Sequence, residues 1–365
     1  MTSDFIIATG GTGGHIFPAL SLCKHLKSKG FSCFVLADKR FLNFQEKIPK
    51  NLQYKIISTA PLTGNILKIL VSLVKIVIGV TTATFIILKK KPKMIISFGG
   101  YPSFPTMLAA VLLRKPLLIH EQNSVVGRAN QHFIRWADII SVPFQNIKGL
   151  ERISKSKIHV SGNPVDRSIS KIGESDYPDI SKDGKVNLLV LGGSQGARIL
   201  SRVIPCAIKK LKPSIRSRLH IVQQCRKEDI TGVENAYKSL SVECTISSFF
   251  VDVDQKLKDA HLIIARSGAS TVSELIAAGR PAILVPIAIS NENHQFLNAK
   301  VLSDNNAAWI LEEREFNDEN LSKKLTYLLS NPSSLKEAGA NARSLFTDSN
   351  KNMLELIEKF CSNIS

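Results

Sequence analysis

Two glycine turns carry the residues best placed to do chemistry. Gly10-Gly11-Thr12-Gly13-Gly14-His15 follows the apolar run Phe5-Ile6-Ile7-Ala8, and Gly192-Gly193-Ser194-Gln195-Gly196 follows Leu188-Leu189-Val190-Leu191. Each reads as strand, glycine turn, helix, which aims backbone N–H groups and a helix N-terminus at an anion such as a diphosphate. His15 closes the first turn, where an imidazole can take a proton from a bound hydroxyl or touch a phosphate. The bland alternative is a residue of the first helical turn bonded to backbone. Two such turns half a chain apart imply two phosphorylated ligands brought together, more than one cofactor held alone.

Polar side chains also cluster after other apolar runs. Ser97-Phe98-Gly99-Gly100-Tyr101 is a further strand-end glycine turn, and His120-Glu121-Gln122-Asn123 closes Leu117–Ile119. In the second half, Arg266-Ser267-Gly268-Ala269-Ser270-Thr271 leads to Glu274, whose carboxylate can accept two hydrogen bonds from a ribose or serve as a first-turn cap. Asn291 to Gln295 offers amide and imidazole groups to sugar hydroxyls. Residues beyond strand ends sit where doubly wound folds place ligands.

Other chemistries fit less well. The first turn lacks the Lys-Ser/Thr of a phosphate-binding P-loop, and Ile16 stands where G-x-G-x-x-G needs its last glycine. Asp38 after the second strand mimics a ribose-binding acid, so an NAD-dependent oxidoreductase is a rival reading. The six cysteines form no CxxC pair, which argues against zinc and disulfides and for a reducing compartment. No basic leader or cleavage site precedes the first strand, so no export signal is expected.

The elements that must position these residues alternate. Strands are expected at Phe5–Thr9, Ser32–Ala37, Lys55–Ser58, Met94–Ser97, Leu117–His120, Ile139–Val142 and Lys157–Ser161, with helical stretches such as Ala19–Lys29 and Arg128–Ala137 between them. The pattern restarts at Val186–Leu191 and runs through His220–Gln223, Thr245–Phe250, Leu262–Ala265 and Ala282–Pro286. At 365 residues the chain suits two α/β domains, split near the turn Gly162-Asn163-Pro164. A composition of 44% hydrophobic and 21% charged residues is that of a globular protein. The net charge of +18 implies anionic partners, but 7% aromatics and no nucleic-acid motif argue against nucleic acid.

Ile66–Leu88 carries only Lys68 and Lys75 as charges. Lys68, Ser72, Lys75, Gly79 and Thr82 share one helical face, leaving a wide apolar arc, and Lys89-Lys90-Lys91-Pro92-Lys93 follows. This is either a buried domain helix or an interfacial helix whose lysines meet anionic headgroups. A membrane span does not fit, because the next strand must rejoin the same sheet.

GGTGGHIFPAL (10–20), SFGGYPSFP (97–105), HEQN (120–123), GNPV (162–165), LGGSQGAR (191–198), RSGASTVSELIAAGRP (266–281) and HQFLNA (294–299) resemble the motifs of the MurG-type bacterial peptidoglycan glycosyltransferases, glycosyltransferase family 28. The match runs in order through both halves. It implies a GT-B fold, two Rossmann-like doubly wound domains facing across a deep cleft. Residues 1–163 would form the acceptor and membrane-associating domain, residues 164–340 the donor domain, and a helix near 341–365 would return to the first. The implied reaction moves GlcNAc from UDP-GlcNAc to the C4 hydroxyl of MurNAc in lipid I, inverting the anomeric centre and giving lipid II. No cofactor and no metal are implied.

Residue roles follow from the same resemblance. His15 would be the general base, with Glu121 as a relay. Thr12, Gly13, Asn123, Arg167, Gly193, Ser194, Gln195, Ala269, Thr271, Glu274, His294 and Gln295 would hold the donor. Gly11, Gly14 and Tyr101 would hold the acceptor. The protein would work peripherally on the cytoplasmic face of the inner membrane, against an anionic surface. One departure shows: GNPV is followed by Asp166 and then Arg167, where the family places arginine at once. A glycolipid glycosyltransferase with another acceptor, or a membrane-associated binding protein without chemistry, are the remaining rivals.

Overall fold

The computed structural model describes residues 2–181, 184–193, 196–288 and 293–363. The chain divides into two units, Met1–Asp166 with Thr347–Ser365, and Arg167–Phe346. The division therefore falls after Asp166 rather than residue 163, and the returning segment begins at Thr347 rather than 341.

In the first unit, β1 (Phe5–Ala8), β2 (Cys33–Ala37), β3 (Gln53–Ile56), β4 (Met94–Ser97), β5 (Leu117–His120), β6 (Ile139–Val142) and β7 (Ile158–Val160) form a seven-stranded sheet, ordered β3-β2-β1-β4-β5-β6-β7. Every pairing is parallel. Parallel strands need crossovers that cover both faces, so the inner strands are largely apolar and buried, whereas the edge strands β3 (Gln-Tyr-Lys-Ile) and β7 (Ile-His-Val) are mostly exposed or half-buried. The helices are α1 (Gly13–Ser28), α2 (Ile66–Lys90), α3 (Phe104–Leu112) and α4 (Arg128–Phe133). Alternation splits the core: Phe5, Ile7 and Ile96 pack on one face, Ile6, Ile95 and Ile119 on the other.

α2 is built inside out. Its buried residues are Ser72, Gly79, Ala83 and Ile87, whereas Ile66 is 79% and Phe85 64% exposed. Small residues face the unit because the approach is close: a Cβ on Gly79 would lie 2.1 Å from the Ser58 carbonyl oxygen. Ser72 Oγ donates to the Pro61 carbonyl, and Asn65 caps the helix through Lys68 N–H. The buried-helix alternative therefore fails. The helix is long and apolar enough to cross a membrane. Yet it is a crossover between β3 and β4 of one sheet, so it cannot span without tearing that sheet apart.

The second unit contains α5 (Arg167–Ser170), β8 (Val186–Leu191), α6 (Arg198–Lys209), α7 (Pro213–Arg216), β9 (Leu219–Gln224), α8 (Ile230–Ser239), β10 (Glu243–Ser247), α9 (Val253–Asp259), β11 (Leu262–Ala265), α10 (Ala269–Ala278), β12 (Ala282–Leu284), α11 (His294–Ser303), β13 (Ala308–Ile310), α12 (Asp318–Ser330) and α13 (Pro332–Ser344). Its six-stranded parallel sheet is ordered β10-β9-β8-β11-β12-β13. β13, Ala-Trp-Ile, escapes the sequence reading because three residues are too few to show a period. The last helix, α14 (Ser349–Ser362), rejoins the first unit, where Met353, Leu354 and Ile357 enter the Phe5 face of the core.

Candidate active site

Strand order reverses between β1 and β4 in the first sheet and between β8 and β11 in the second. The turns leaving those strands open the crevice in which doubly wound sheets bind ligands. In the first unit these are the Gly10–Gly14 turn and the Phe98–Tyr101 turn. Thr12 precedes α1 in extended conformation, and its carbonyl accepts from His15 N and Ile16 N. Gly10 has φ +145°, and a Cβ there would lie 2.7 Å from both Asp38 Oδ1 and Pro102 Cβ. Only glycine lets the chain pass between them.

The His15 ring is fixed by its partners. Nδ1 lies 2.9 Å from the Phe98 carbonyl oxygen and 2.9 Å from Gln122 Oε1. Both are acceptors, so Nδ1 carries the proton and Nε2 presents its lone pair. Gln122 is itself oriented, because its Nε2 donates to the carbonyls of Phe98 at 2.9 Å and His120 at 3.1 Å. His15 Nε2 faces Gly100 (φ +73°), where a Cβ would come within 3.3 Å of it. The sequence reading passed over Gln122. Its neighbours in HEQN are as polar, and only the strand's phase decides which of them turns toward the glycine loop.

Glu121 is a correction to the expected relay. It is buried, and both oxygens are engaged: Oε1 accepts from Gln122 N, Asn123 N and Asn123 Nδ2, and Oε2 from Gly127 N and Asn130 Nδ2. A carboxylate so occupied anchors the loop from 121 to 130 and has no lone pair to spare for a substrate proton. Asn123 is held by that carboxylate at the rim of the site. His120 lies wholly buried between Ser141 Oγ at 2.7 Å and Asn163 Oδ1 at 2.8 Å, and burial pushes its imidazole down to about 4. It stays neutral and ties β5 to β6 and to the GNPV turn.

At the end of β2, Asp38 Oδ1 accepts from Gly11 N at 3.0 Å and Oδ2 from Arg40 Nε at 2.6 Å. Asp38 thus braces the glycine turn through one oxygen and Arg40 through the other, a structural use of the acid on which the oxidoreductase reading leaned. The Arg40 guanidinium stacks over the Tyr101 ring, 4.7 Å from its centroid. Burial raises the Tyr101 phenol, and Arg40 opposes that shift. Gly13 is buried and Gly14 half-buried at the start of α1.

In the second unit, Gly193 has φ +76°, and no described residue lies within 4 Å of the position a Cβ would take. Ser194 and Gln195 lie outside the described residues. Across the switch point, Gly268 precedes α10, with Ala269 in its first turn, Thr271 half-buried, and Glu274 half-buried one turn on. Arg266 Nε and Ser267 Oγ are buried beside this helix start without a partner among the described residues. Arg266 also donates to the Val285 carbonyl at 3.0 Å and to Glu313 Oε1 at 2.9 Å. Glu313 Oε2 accepts from Ala288 N at 2.8 Å. Burial opposes ionisation of Glu313, but Ala288 N–H and Arg266 outweigh it and hold its carboxyl below the usual range. This pair joins the α10 turn to the segment leading into α11, and the sequence reading missed it because Glu313 is distant in the chain.

His294 and Gln295 open α11, both half-buried, and Gln295 Oε1 accepts from Ile287 N at 3.2 Å. Asn298 Nδ2 donates to the Ser267 carbonyl, drawing α11 toward the α10 turn. Arg167 is exposed at the first position of α5. Among the described residues, no group of three or more His, Cys, Asp or Glu side chains could hold a metal ion.

Two doubly wound units with a glycine turn at each switch point are the architecture of a nucleotide-sugar transferase. Residues 5–142 match the glycosyltransferase family 28 N-terminal domain and residues 187–355 its C-terminal domain. The chain belongs to glycosyltransferase family 28. It is 39% identical over 341 residues, 93% of this chain and 92% of the relative, to a protein of Methylorubrum extorquens named UDP-N-acetylglucosamine--N-acetylmuramyl-(pentapeptide) pyrophosphoryl-undecaprenol N-acetylglucosamine transferase. A protein of Paramagnetospirillum magneticum with the same name is 39% identical, covering 93% of this chain and 91% of its own. The crystal structure of Acinetobacter baumannii MurG superposes with a TM-score of 0.76 at 30% identity, covering 98% of this chain and 99% of that one.

Proposed function

We propose that the protein transfers N-acetylglucosamine from UDP-GlcNAc to the C4 hydroxyl of MurNAc in undecaprenyl-diphosphate-linked MurNAc-pentapeptide (lipid I), giving lipid II with inversion at the anomeric carbon. The observation that carries this reading is the duplicated switch point. One glycine turn stands beside a histidine whose Nε2 lone pair is exposed by its tautomer. The other stands beside a helix start with two buried polar atoms that lack partners among the described residues. The names of the relatives supply the substrates.

His15 Nε2 takes the C4 proton as the oxygen attacks the anomeric carbon. The bond from that carbon to the β-phosphate oxygen breaks, and UDP leaves with the electron pair. Backbone N–H groups at Gly193 and the α10 start receive the growing negative charge, where preorganised donors contribute most. Glu274 takes the ribose hydroxyls, His294 and Gln295 the hydroxyls of GlcNAc, and Arg167 a further contact to the donor. Gly11, Gly14 and Tyr101 hold the acceptor, and Thr12, Gly13 and Asn123 contact the donor's sugar side. Glu121 supports Asn123 and does not serve as a proton relay.

The apolar face of α2 is read as the membrane contact, lying in the interface of the cytoplasmic leaflet with Lys89 to Lys91 on anionic headgroups. Transfer of labelled GlcNAc to a short-chain lipid I analogue, without added metal, tests the reaction. Turnover with UDP-GlcNAc and little with UDP-glucose or UDP-GalNAc is expected. Absence of product, or equal use of UDP-glucose, overturns the assignment.

A further inference from the structure

Three neighbouring strands of the second unit end on one braced cluster. β11, β12 and β13 run parallel and adjacent, so the residues leaving them emerge on the same edge of the sheet, where doubly wound folds bind ligands. Arg266 follows β11, Val285 to Ala288 follow β12, and Glu313 lies shortly beyond β13. Arg266 Nη1 donates to the Val285 carbonyl and Nη2 to Glu313 Oε1, while Glu313 Oε2 accepts from Ala288 N. One carboxylate therefore bridges the α10 turn and the segment running toward α11. Its side chain is 26% exposed and that of Arg266 11%, shielded enough for charge-assisted bonds to hold a loop. Glu312 is the contrast. It meets Arg314 at 3.3 Å with both side chains more exposed, a surface pair that contributes little.

The segment that Glu313 holds is tied to residues read as meeting the donor sugar. Gln295 Oε1 accepts from Ile287 N, the amide next to the one that Glu313 takes. His294 stands beside Gln295 at the start of α11. Releasing Ala288 therefore loosens the backbone group that orients the Gln295 amide. The α10 turn has further supports. Asn298 Nδ2 donates to the Ser267 carbonyl, Arg266 keeps its bond to Val285, and Ala269 and Val272 are buried.

We propose that Glu313 is a positioning residue for the donor sugar: it fixes the segment 286–288 so that His294 and Gln295 meet the hydroxyls of GlcNAc. The proposal rests on the reading of the second unit as the donor domain. Glu313 touches no substrate and acts through the Ala288 N–H and the neighbouring Ile287–Gln295 bond. The two halves of the donor are thereby separated. Contacts of UDP with the α10 turn stand without Glu313, whereas contacts of the sugar with α11 depend on it. Ordering the segment before substrate arrives lowers the entropy lost when the sugar binds.

Calorimetric titration of UDP and of UDP-GlcNAc into the whole protein tests this, with Glu313→Ala, Glu313→Gln and the control Glu312→Ala. Glu313→Ala should weaken UDP-GlcNAc roughly tenfold or more and UDP by less than about twofold, because the lost charge-assisted bonds serve the sugar side. Glu313→Gln, whose single oxygen can keep one of the two contacts, should recover part of the loss, and Glu312→Ala should match the parent. In steady-state transfer the KM for the lipid I analogue should stay within about twofold of the parent, while the preference for UDP-GlcNAc over UDP-GalNAc narrows. A merely structural role would weaken UDP and UDP-GlcNAc together, and that result overturns the proposal. So does UDP-GlcNAc bound equally by the parent and Glu313→Ala. A parent that binds UDP-GlcNAc but transfers nothing removes only the assigned reaction, since the ratio of the two affinities still decides. A parent that binds neither nucleotide removes the donor reading and this proposal with it. Should Glu313→Ala leave the second unit unfolded, Glu313→Gln decides by the same ratio.

Discussion

At the scale of single residues, hydrogen-bond donors and acceptors decide what each titratable group can do. His15 has its Nδ1 proton committed to Phe98 and Gln122, which leaves the Nε2 lone pair beside Gly100. His15→Ala should lower kcat by roughly 10²–10⁴-fold, the usual worth of general-base help, with the donor KM little changed. Steady-state rates check this, and a kcat within about threefold of the parent would remove His15 from the chemistry. His120 makes the opposite case. Its imidazole titrates near 4 when folded and near 6.5 when unfolded, so the unfolded chain binds the extra proton between those values. Stability from this group is complete above pH 6.5 and is lost as pH falls toward 4. The loss is about 3 kcal/mol at most, from the shift at 1.36 kcal/mol per pKa unit. Urea unfolding of the first unit, followed through Trp136 in a Trp309→Phe background, should show this slope, and His120→Gln should flatten it. Parallel profiles would mean that His120 is not the acid-labile group.

At the scale of elements, two helices show how sequence pattern and environment differ. α2 hides small residues and shows large apolar ones, the reverse of a helix packed on a core, because Gly79 and Ser72 must let the backbone of 58–61 come close. α14 follows the ordinary rule. Ile357 is fully buried against the β1 face, and Asn350 Nδ2 donates to Ser21 Oγ and to the Val165 carbonyl. Ile357→Ala should destabilise the first unit by about 2–5 kcal/mol through lost burial and a residual cavity. The Trp136 transition should move to lower urea, while the Trp309 transition of the second unit stays in place. Equal shifts at both tryptophans would show that the helix stabilises the chain as a whole.

At the scale of the whole molecule, a net charge of +18 and the exposed α2 face act together. Hydrophobic insertion of α2 would be aided by about 1 kcal/mol for each lysine near an anionic surface. Glutamate at Lys89, Lys90 and Lys91 together should weaken sedimentation with phosphatidylglycerol vesicles, most at low salt, because screening shortens the reach of these charges. Binding that ignores both substitution and salt would assign the contact to another surface.

The chain's own pattern determined the class of fold: apolar runs ending in glycine turns specify parallel strands and helix starts, and both depend on neighbours a few residues away. It also exposed most of the polar residues at strand ends, since a motif such as HEQN or RSGAST is contiguous. Which member of HEQN serves the histidine was decided only by tertiary structure, because strand phase and the position of the Phe98 carbonyl set Gln122 on His15 and Glu121 on its own loop. The same holds for Asp38 on the Gly11 turn and for Glu313 on Arg266. Those contacts join residues that no local period relates, so only the folding of each sheet brings them together.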